Sequence, residues 1–303
     1  MLTIFSTPKP FIGHINIIQR NAIKSWTLLH PDVEIILFGD EEGAAETARE
    51  FYLQHVPEVA ANQFGTKLLR GLFEPAQKIA RHQILCYVNC DVMLPSSFAT
   101  ALQLTLNSFE RFLMVGQRCD TDITDPWDFA DRDWESRLCA FSKEHGKLAP
   151  TSAVDYFAFP RGLHQDMPPL VIGRIWWDHW LVWKARSLKV PVVDASATVM
   201  AVHQKHDYSY HPKARAGVWC DEQANQNYEL SGGKWHLYTI DDSTHTLTSR
   251  GVIRNWKSAL VPYWRASRPA VIPLWFKFLD TTRPLRNRLA PCAGIVPSRP
   301  SSS

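Results

Sequence analysis

The stretch Tyr87-Val88-Asn89-Cys90-Asp91-Val92-Met93-Leu94 decides how this chain is read. Ile84 to Val88 is an apolar run of strand length. It stops at an Asn-x-Asp step, and the chain then turns apolar again as Val92-Met93-Leu94. A carboxylate just past a buried strand is costly unless something pairs with it. In an open α/β sheet that edge is where ligands bind.

Upstream, Leu2 to Ser6 suits a short buried strand, broken by Thr7-Pro8-Lys9-Pro10-Phe11. Ile15, Ile18, Ala22, Trp26 and Leu29 then recur at steps of three and four, a helix ended by Pro31. Val33 to Phe38 reads as a strand closed by Gly39-Asp40-Glu41-Glu42-Gly43, followed by a helix over 44–53 and a short strand near 56–59. Pro75 suits the first turn of a helix over 75–82. Strand, helix and strand alternating with short turns is the pattern of a parallel, doubly wound sheet. No G-x-G-x-x-G fingerprint occurs, which argues against a dinucleotide cofactor.

Downstream, Ser96 or Ser97 caps a helix to about Phe109, and Phe112 to Val115 is another strand. Seven acids between Asp120 and Glu135 precede a helix whose Trp134, Leu138 and Phe141 share a face and which stops at Gly146. They read as a solvated loop, with a loop over an acceptor site as the functional alternative. Strands are expected over 154–159, 190–193 and 199–202, with a helix over 178–188 between the first two. His203, His206 and His211 follow the last strand.

With 303 residues, 45% hydrophobic and 21% charged, the chain has the composition of an ordinary globular protein. Trp176, Trp177, Trp180 and Trp183 form a cluster that suits either core packing or a carbohydrate cleft. No signal peptide and no spanning segment is visible. The six cysteines form no CxxC pair, so free thiols in a reducing cytoplasm are expected. Residues 250–303 carry ten Lys/Arg against one acid, Asp280, although the whole chain is only +3. The body is therefore net acidic and the tail basic.

In order along the chain, these landmarks resemble the nucleotide-sugar-dependent glycosyltransferases of the A-type fold. Asn89-Cys90-Asp91 resembles their Asp-x-Asp signature, Asp40 closes the second strand, Asp178 begins a later helix, and His203 or His206 follows a late strand. The resemblance implies a Rossmann-like, mostly parallel central sheet flanked by helices. It spans a catalytic domain over 1–245, with a nucleotide-binding half at 1–118 and an acceptor and metal half at 119–245. A helical basic extension over 246–303 would follow.

The implied chemistry is transfer of a sugar from a nucleoside diphosphate sugar, with uridine diphosphate expected, to an unknown hydroxyl acceptor: a glycan, a lipid or a small molecule. Asp91 with His203, ahead of His206, would hold Mn²⁺ or Mg²⁺. These cations suit oxygen ligands, Mn²⁺ also tolerates imidazole, and either can neutralise a departing diphosphate. Asn89 departs from the two-carboxylate form and would bond ribose or a metal-bound water. Asp40 would face the base, and Asp178 would act as the base of an inverting transfer, kept ionised by the helix dipole. Simple helix capping accounts for Asp178 equally well. Thr7, Lys9, Lys78 and Asp155 are candidate donor contacts, with Arg81 and Tyr156 beside the last two.

Two other classes compete. His203, His206 and His211 with Asp207 could form a metal hydrolase site, although a preceding strand rather than a helix argues against it. A non-catalytic sugar- or membrane-binding module is the other. The basic tail, with Trp256, Tyr263, Trp264, Trp275, Phe276 and Phe278, suits either an anionic membrane surface or packing on the catalytic domain. The acidic body counts against nucleic acid. The expected location is cytoplasmic, with peripheral attachment to a membrane's inner face as the tail's alternative.

Overall fold

The computed structural model describes residues 2–207, 218–260 and 281. Its first half alternates β1 (Leu2–Ser6), α1 (Gly13–Thr27), β2 (Glu34–Phe38), α2 (Ala44–Glu50), β3 (Gln54–Val56), α3 (Arg70–Ile79) and β4 (Ile84–Val88). Then come β5 (Val92–Met93), α4 (Ser97–Leu106), β6 (Leu113–Val115), β7 (Arg118–Thr121), α5 (Trp134–His145), β8 (Lys147–Leu148) and β9 (Tyr156–Pro160). The rest comprises α6 (Trp177–Ser187), β10 (Val192–Asp194), β11 (Ala201–Gln204), α7 (Glu222–Leu230), β12 (His245–Thr248) and β13 (Gly251–Arg254).

Among the described residues, a nine-stranded sheet runs in the order β13-β12-β10-β6-β9-β4-β1-β2-β3. Only β9 and β13 oppose the common strand direction. This is the mostly parallel, helix-flanked sheet expected. Its central strands β1 and β4 are buried along their whole length and mostly apolar because both faces are covered. Successive residues alternate between two cores: Ile4, Leu37, Cys86 and Val88 face one, and Phe5, Phe38, Leu85 and Tyr87 the other. The first core is closed by Ala22, Ile23 and Trp26 of α1 and by Phe98 of α4. The second is closed by Leu72, Phe73 and Ala76 of α3 and by Trp180, Leu181 and Ala185 of α6. Each large apolar side chain buried this way contributes about 1.5–3 kcal/mol.

A second sheet, β5-β11-β7-β8, stands at the carboxyl edge of the first, under α5. The sequence reading missed β7 and β8. Arg118-Cys119-Asp120-Thr121 buries only every other residue, so its strand character rests on pairing with β11 rather than on apolar content. A second correction concerns α3, which begins at Arg70, with Pro75 inside it rather than in its first turn. Packing of Leu72, Phe73 and Ala76 outweighs the backbone hydrogen bond that Pro75 cannot donate.

The expected boundary at 245 also moves. β12 pairs with β10 and β13 with β12, so residues 246–248 and 251–254 are strands of the central sheet joined by a turn, not part of a helical tail. One compact unit runs from Met1 to Ser258, and a second comprises Ala259–Ser303. Of the basic extension, 261–280 and 282–303 lie outside the described residues, as does His211. Among the described residues no helix is long and apolar enough to cross a membrane.

Candidate active site

Parallel pairing of β1, β2 and β4 brings three turns to one edge: Thr7–Lys9, Gly39–Asp40 and Asn89–Asp91. Because β9 runs against β4, with Tyr156 opposite Val88, its first residues return to the same edge and bring Asp155 with them. β11 then passes beside Asp91, whose carbonyl accepts a hydrogen bond from the Gln204 backbone at 3.1 Å. The Gln204 side chain, fully buried, donates to the carbonyls of Ile18 and Asp91 and accepts from Asn21. That clamp fixes β11 against α1 and the Asp91 turn.

Asp91, His203 and His206 therefore converge, with one ligand atom from each lying within 4.8 Å of the others. Asp91 is 8% exposed. Burial alone would raise its carboxyl, but Lys9, His203 and His206 outweigh that and hold it well below the usual carboxylate range. Its Oδ2 lies 3.1 Å from His206 Nε2 and 3.3 Å from Lys9 Nζ. Its Oδ1 is buried without a hydrogen-bond partner and faces His203 Nε2 across 3.9 Å.

The donor set fits a divalent cation. His203 Nδ1 lies 2.9 Å from Asp120 Oδ1, and a carboxylate at that distance favours the hydrogen on Nδ1 and the lone pair on Nε2. In that tautomer two lone-pair atoms, His203 Nε2 and Asp91 Oδ1, stand 3.9 Å apart, an arrangement that a cation shared by them satisfies. One carboxylate and two imidazoles suit Mn²⁺ better than the all-oxygen shell that Mg²⁺ prefers. His203 stands within β11 and His206 just beyond it.

Behind this cluster lies a residue the sequence reading did not single out. Arg118 reaches Asp120 Oδ1 through Nε at 2.8 Å and Asp155 Oδ2 through a terminal nitrogen at 2.5 Å. Asp155 Oδ1 accepts from Asn89 Nδ2 at 2.8 Å, and Asn89 Oδ1 accepts from Tyr87 at 3.0 Å. Arg118 thus joins the carboxylate behind His203 to the one beside Asn89. The available signal was the alternation of Arg118 and Asp120 on one face, with Cys119 and Thr121 buried on the other.

Asp178 is half-buried in the first turn of α6, with Trp176 at the cap position, so it is not the N-cap. The expected pull of the helix dipole on its carboxyl is opposed by its surroundings. Burial pushes its carboxyl up, His179 and backbone donors offset part of the rise, and Asp155 adds to it. Trp176 holds φ at +87°, a left-handed conformation that costs a non-glycine residue about 1–3 kcal/mol. Its ring rests against His179 and Tyr228. Trp177 and Trp180 are buried in the core and Trp183 stacks on His236, so this cluster is largely packing.

Asp40 is exposed and lines an open cavity of about 780 Å³ with Glu41, Glu42, Glu46, His55 and Pro57. Lys67 ties this cavity to the first turn by bonding Thr7 Oγ1 at 3.0 Å and pairing with Glu41. Lys78 does not join the site. It is exposed in the last turn of α3, at the end of the sheet where β4 begins, whereas Asn89 and Asp91 follow the other end. Arg161, just after β9, bonds the carbonyls of Gln77, Ala80 and His82 and fixes that helix end there. Arg81 pairs with Asp32 at the same end.

Compared by sequence, the chain matches no family profile and no curated protein. Compared by structure, it is similar to glucosyl-3-phosphoglycerate synthase from Mycobacterium tuberculosis, at 11% identity and a TM-score of 0.47, with 77% of this chain and 81% of that one covered. The same synthase in complex with Mn²⁺, UDP-glucose and phosphoglyceric acid gives 12% identity, a TM-score of 0.46 and coverage of 77% and 80%. A mannosyltransferase from Pyrobaculum calidifontis, in complex with GDP-mannose and Mn²⁺, gives 12%, 0.41, and coverage of 69% and 58%.

Proposed function

We propose that this chain is a metal-dependent glycosyltransferase that moves a sugar from a nucleoside diphosphate sugar to an acceptor hydroxyl. The observation carrying the proposal is the convergence of Asp91, His203 and His206 at the carboxyl edge of a doubly wound sheet. These three residues would hold Mn²⁺, which when bound supplies Lewis-acid stabilisation of the charge that develops on the departing diphosphate.

The chain's own residues would do the rest. Asn89, held by Asp155 and Tyr87, presents a neutral polar edge beside Asp91 without adding negative charge near the phosphates. Thr7 and Lys9 border the diphosphate, and Asp40 faces the base from the cavity beyond Lys67, with uridine as the proposed nucleoside. Asp178 takes the acceptor proton in an inverting transfer. Its raised pKa suits that task, since a base closer to the working pH transfers protons more effectively than a fully acidic carboxylate.

The test is release of free nucleoside diphosphate from a panel of nucleotide sugars with manganese present. Wild type should release it with at least one donor, and Asp91→Ala should lose the manganese-dependent part while keeping a wild-type circular dichroism spectrum. Full activity in that folded variant would refute the assignment.

A further inference from the structure

His206 has one lone pair and two claims on it. Its Nδ1 stands 2.6 Å from the Asp207 carbonyl oxygen. A carbonyl only accepts, so Nδ1 carries a hydrogen, and Nε2, which also stands 3.1 Å from Asp91 Oδ2, holds a lone pair only in the neutral ring, the form a metal ligand needs. Lys9 Nζ lies 2.9 Å from that Nε2 and 3.3 Å from Asp91 Oδ2. In that neutral form the ammonium donates to two of the three groups that a divalent ion would need, and in any form it stands against both of them. An imidazole lone pair serves one partner at a time, and two cations this close repel.

The Lys9 backbone is pinned on both sides by one residue. Its N–H donates to Gln19 Oε1 at 2.6 Å and its carbonyl accepts from Gln19 Nε2 at 2.8 Å, with prolines at 8 and 10. Any rearrangement is thus confined to a flexible side chain that is 28% exposed. On the proposed reading of the site, that side chain lies at the edge where the diphosphate would bind.

We infer that Lys9 is a built-in competitor of the cation. Its ammonium bridges Asp91 and His206 before the ion binds, gives up His206 when the ion arrives, and is taken up by the anionic donor. Cation and nucleoside diphosphate are then coupled through Lys9 as well as through direct contact, and the coupling is reciprocal. The inference rests on the metal-site reading above.

The experiment titrates the full chain with Mn²⁺, read by electron paramagnetic resonance of the free ion, with and without UDP. Wild type is compared with Lys9→Met, Lys9→Gln, Lys9→Arg and Asp91→Ala. Without UDP, Lys9→Met and Lys9→Gln should bind Mn²⁺ on the order of tenfold tighter than wild type, and Lys9→Arg should not. The factor by which UDP tightens Mn²⁺ should shrink in both neutral variants.

If Asp91→Ala loses Mn²⁺ while the folded neutral variants bind it no tighter than wild type, the Lys9 inference falls and the metal site stands. If Asp91→Ala binds Mn²⁺ like wild type, or if no protein binds it, both fall. A wild type that binds weakly beside a neutral variant that binds well supports both.

Discussion

Asp120 Oδ1 lies 2.9 Å from His203 Nδ1, and the β7–β11 register sets the two residues directly opposite one another. The same carboxylate oxygen stands 2.8 Å from Arg118 Nε. Burial would raise the Asp120 carboxyl, but His203 and Arg118 outweigh it and hold it below its usual range. A carboxylate held ionised behind an imidazole fixes the ring's tautomer and orientation and strengthens the opposite nitrogen as a ligand.

Asp120→Ala should therefore weaken Mn²⁺ binding about 10–100-fold, although residue 120 is not itself in the proposed ligand set. Arg118→Met should weaken it in the same direction by loosening Asp120. Calorimetric titration of Mn²⁺ checks both. Unchanged affinity in folded Asp120→Ala would mean that His203 is oriented by the strand alone, or that it is not a ligand.

Asp178 links function to stability in the opposite sense. A carboxyl whose folded pKa is raised binds its proton more tightly in the folded state than in the unfolded one. Its contribution to stability is therefore full below the unfolded pKa and is lost as pH rises through the folded value. Asp178→Asn should remove that loss. Turnover should fall about 10²–10⁴-fold, as expected for a missing general base. The melting temperature should exceed wild type at pH 7, with the gap closing near pH 3. A lower melting temperature at pH 7 would instead make the ionised carboxylate a structural partner.

Much of this architecture is legible in the amino-acid order, for reasons that also mark where legibility ends. β1, β2 and β4 are mostly apolar runs because both faces are buried, and α1 shows its 3.6-residue period through Ile18, Ala22 and Trp26. Asp91, His203 and His206 can be picked out because each comes at or just beyond the end of an apolar run, although His203 proves to lie within β11. β7 is a different case. A four-residue strand containing Arg118 and Asp120 looks like loop until its partner is known, so the Arg118 bridge goes unseen with it. Lys78 fails for a related reason: order along the chain places it before β4 but does not say that α3 ends at the far side of the sheet. Asp178 is correctly placed at a helix start, yet its titration depends on burial and on Asp155, 23 positions away in sequence.

His164 offers a test of the second core that is independent of the site. It is completely buried, neither ring nitrogen has a hydrogen-bond partner, and Phe73, Phe159 and Trp180 surround it. Burial, helped by Lys184, pulls its pKa down to about 3. An unfolded histidine titrates near 6.5. Below that value the unfolded chain takes up a proton that the folded chain refuses, so stability falls as pH drops from about 6.5 toward 3. At pH 4.5 the cost is about 2–3 kcal/mol. His164→Leu keeps an apolar side chain of similar size and discards two unmet polar atoms, so it should be neutral or stabilising at pH 7. Relative to wild type it should then gain about 2–3 kcal/mol between pH 7 and pH 4.5, read from urea midpoints at the two pH values. Parallel acid sensitivity in the two proteins would mean that His164 reaches solvent before the chain unfolds, and that the α3–α6 core opens locally in acid.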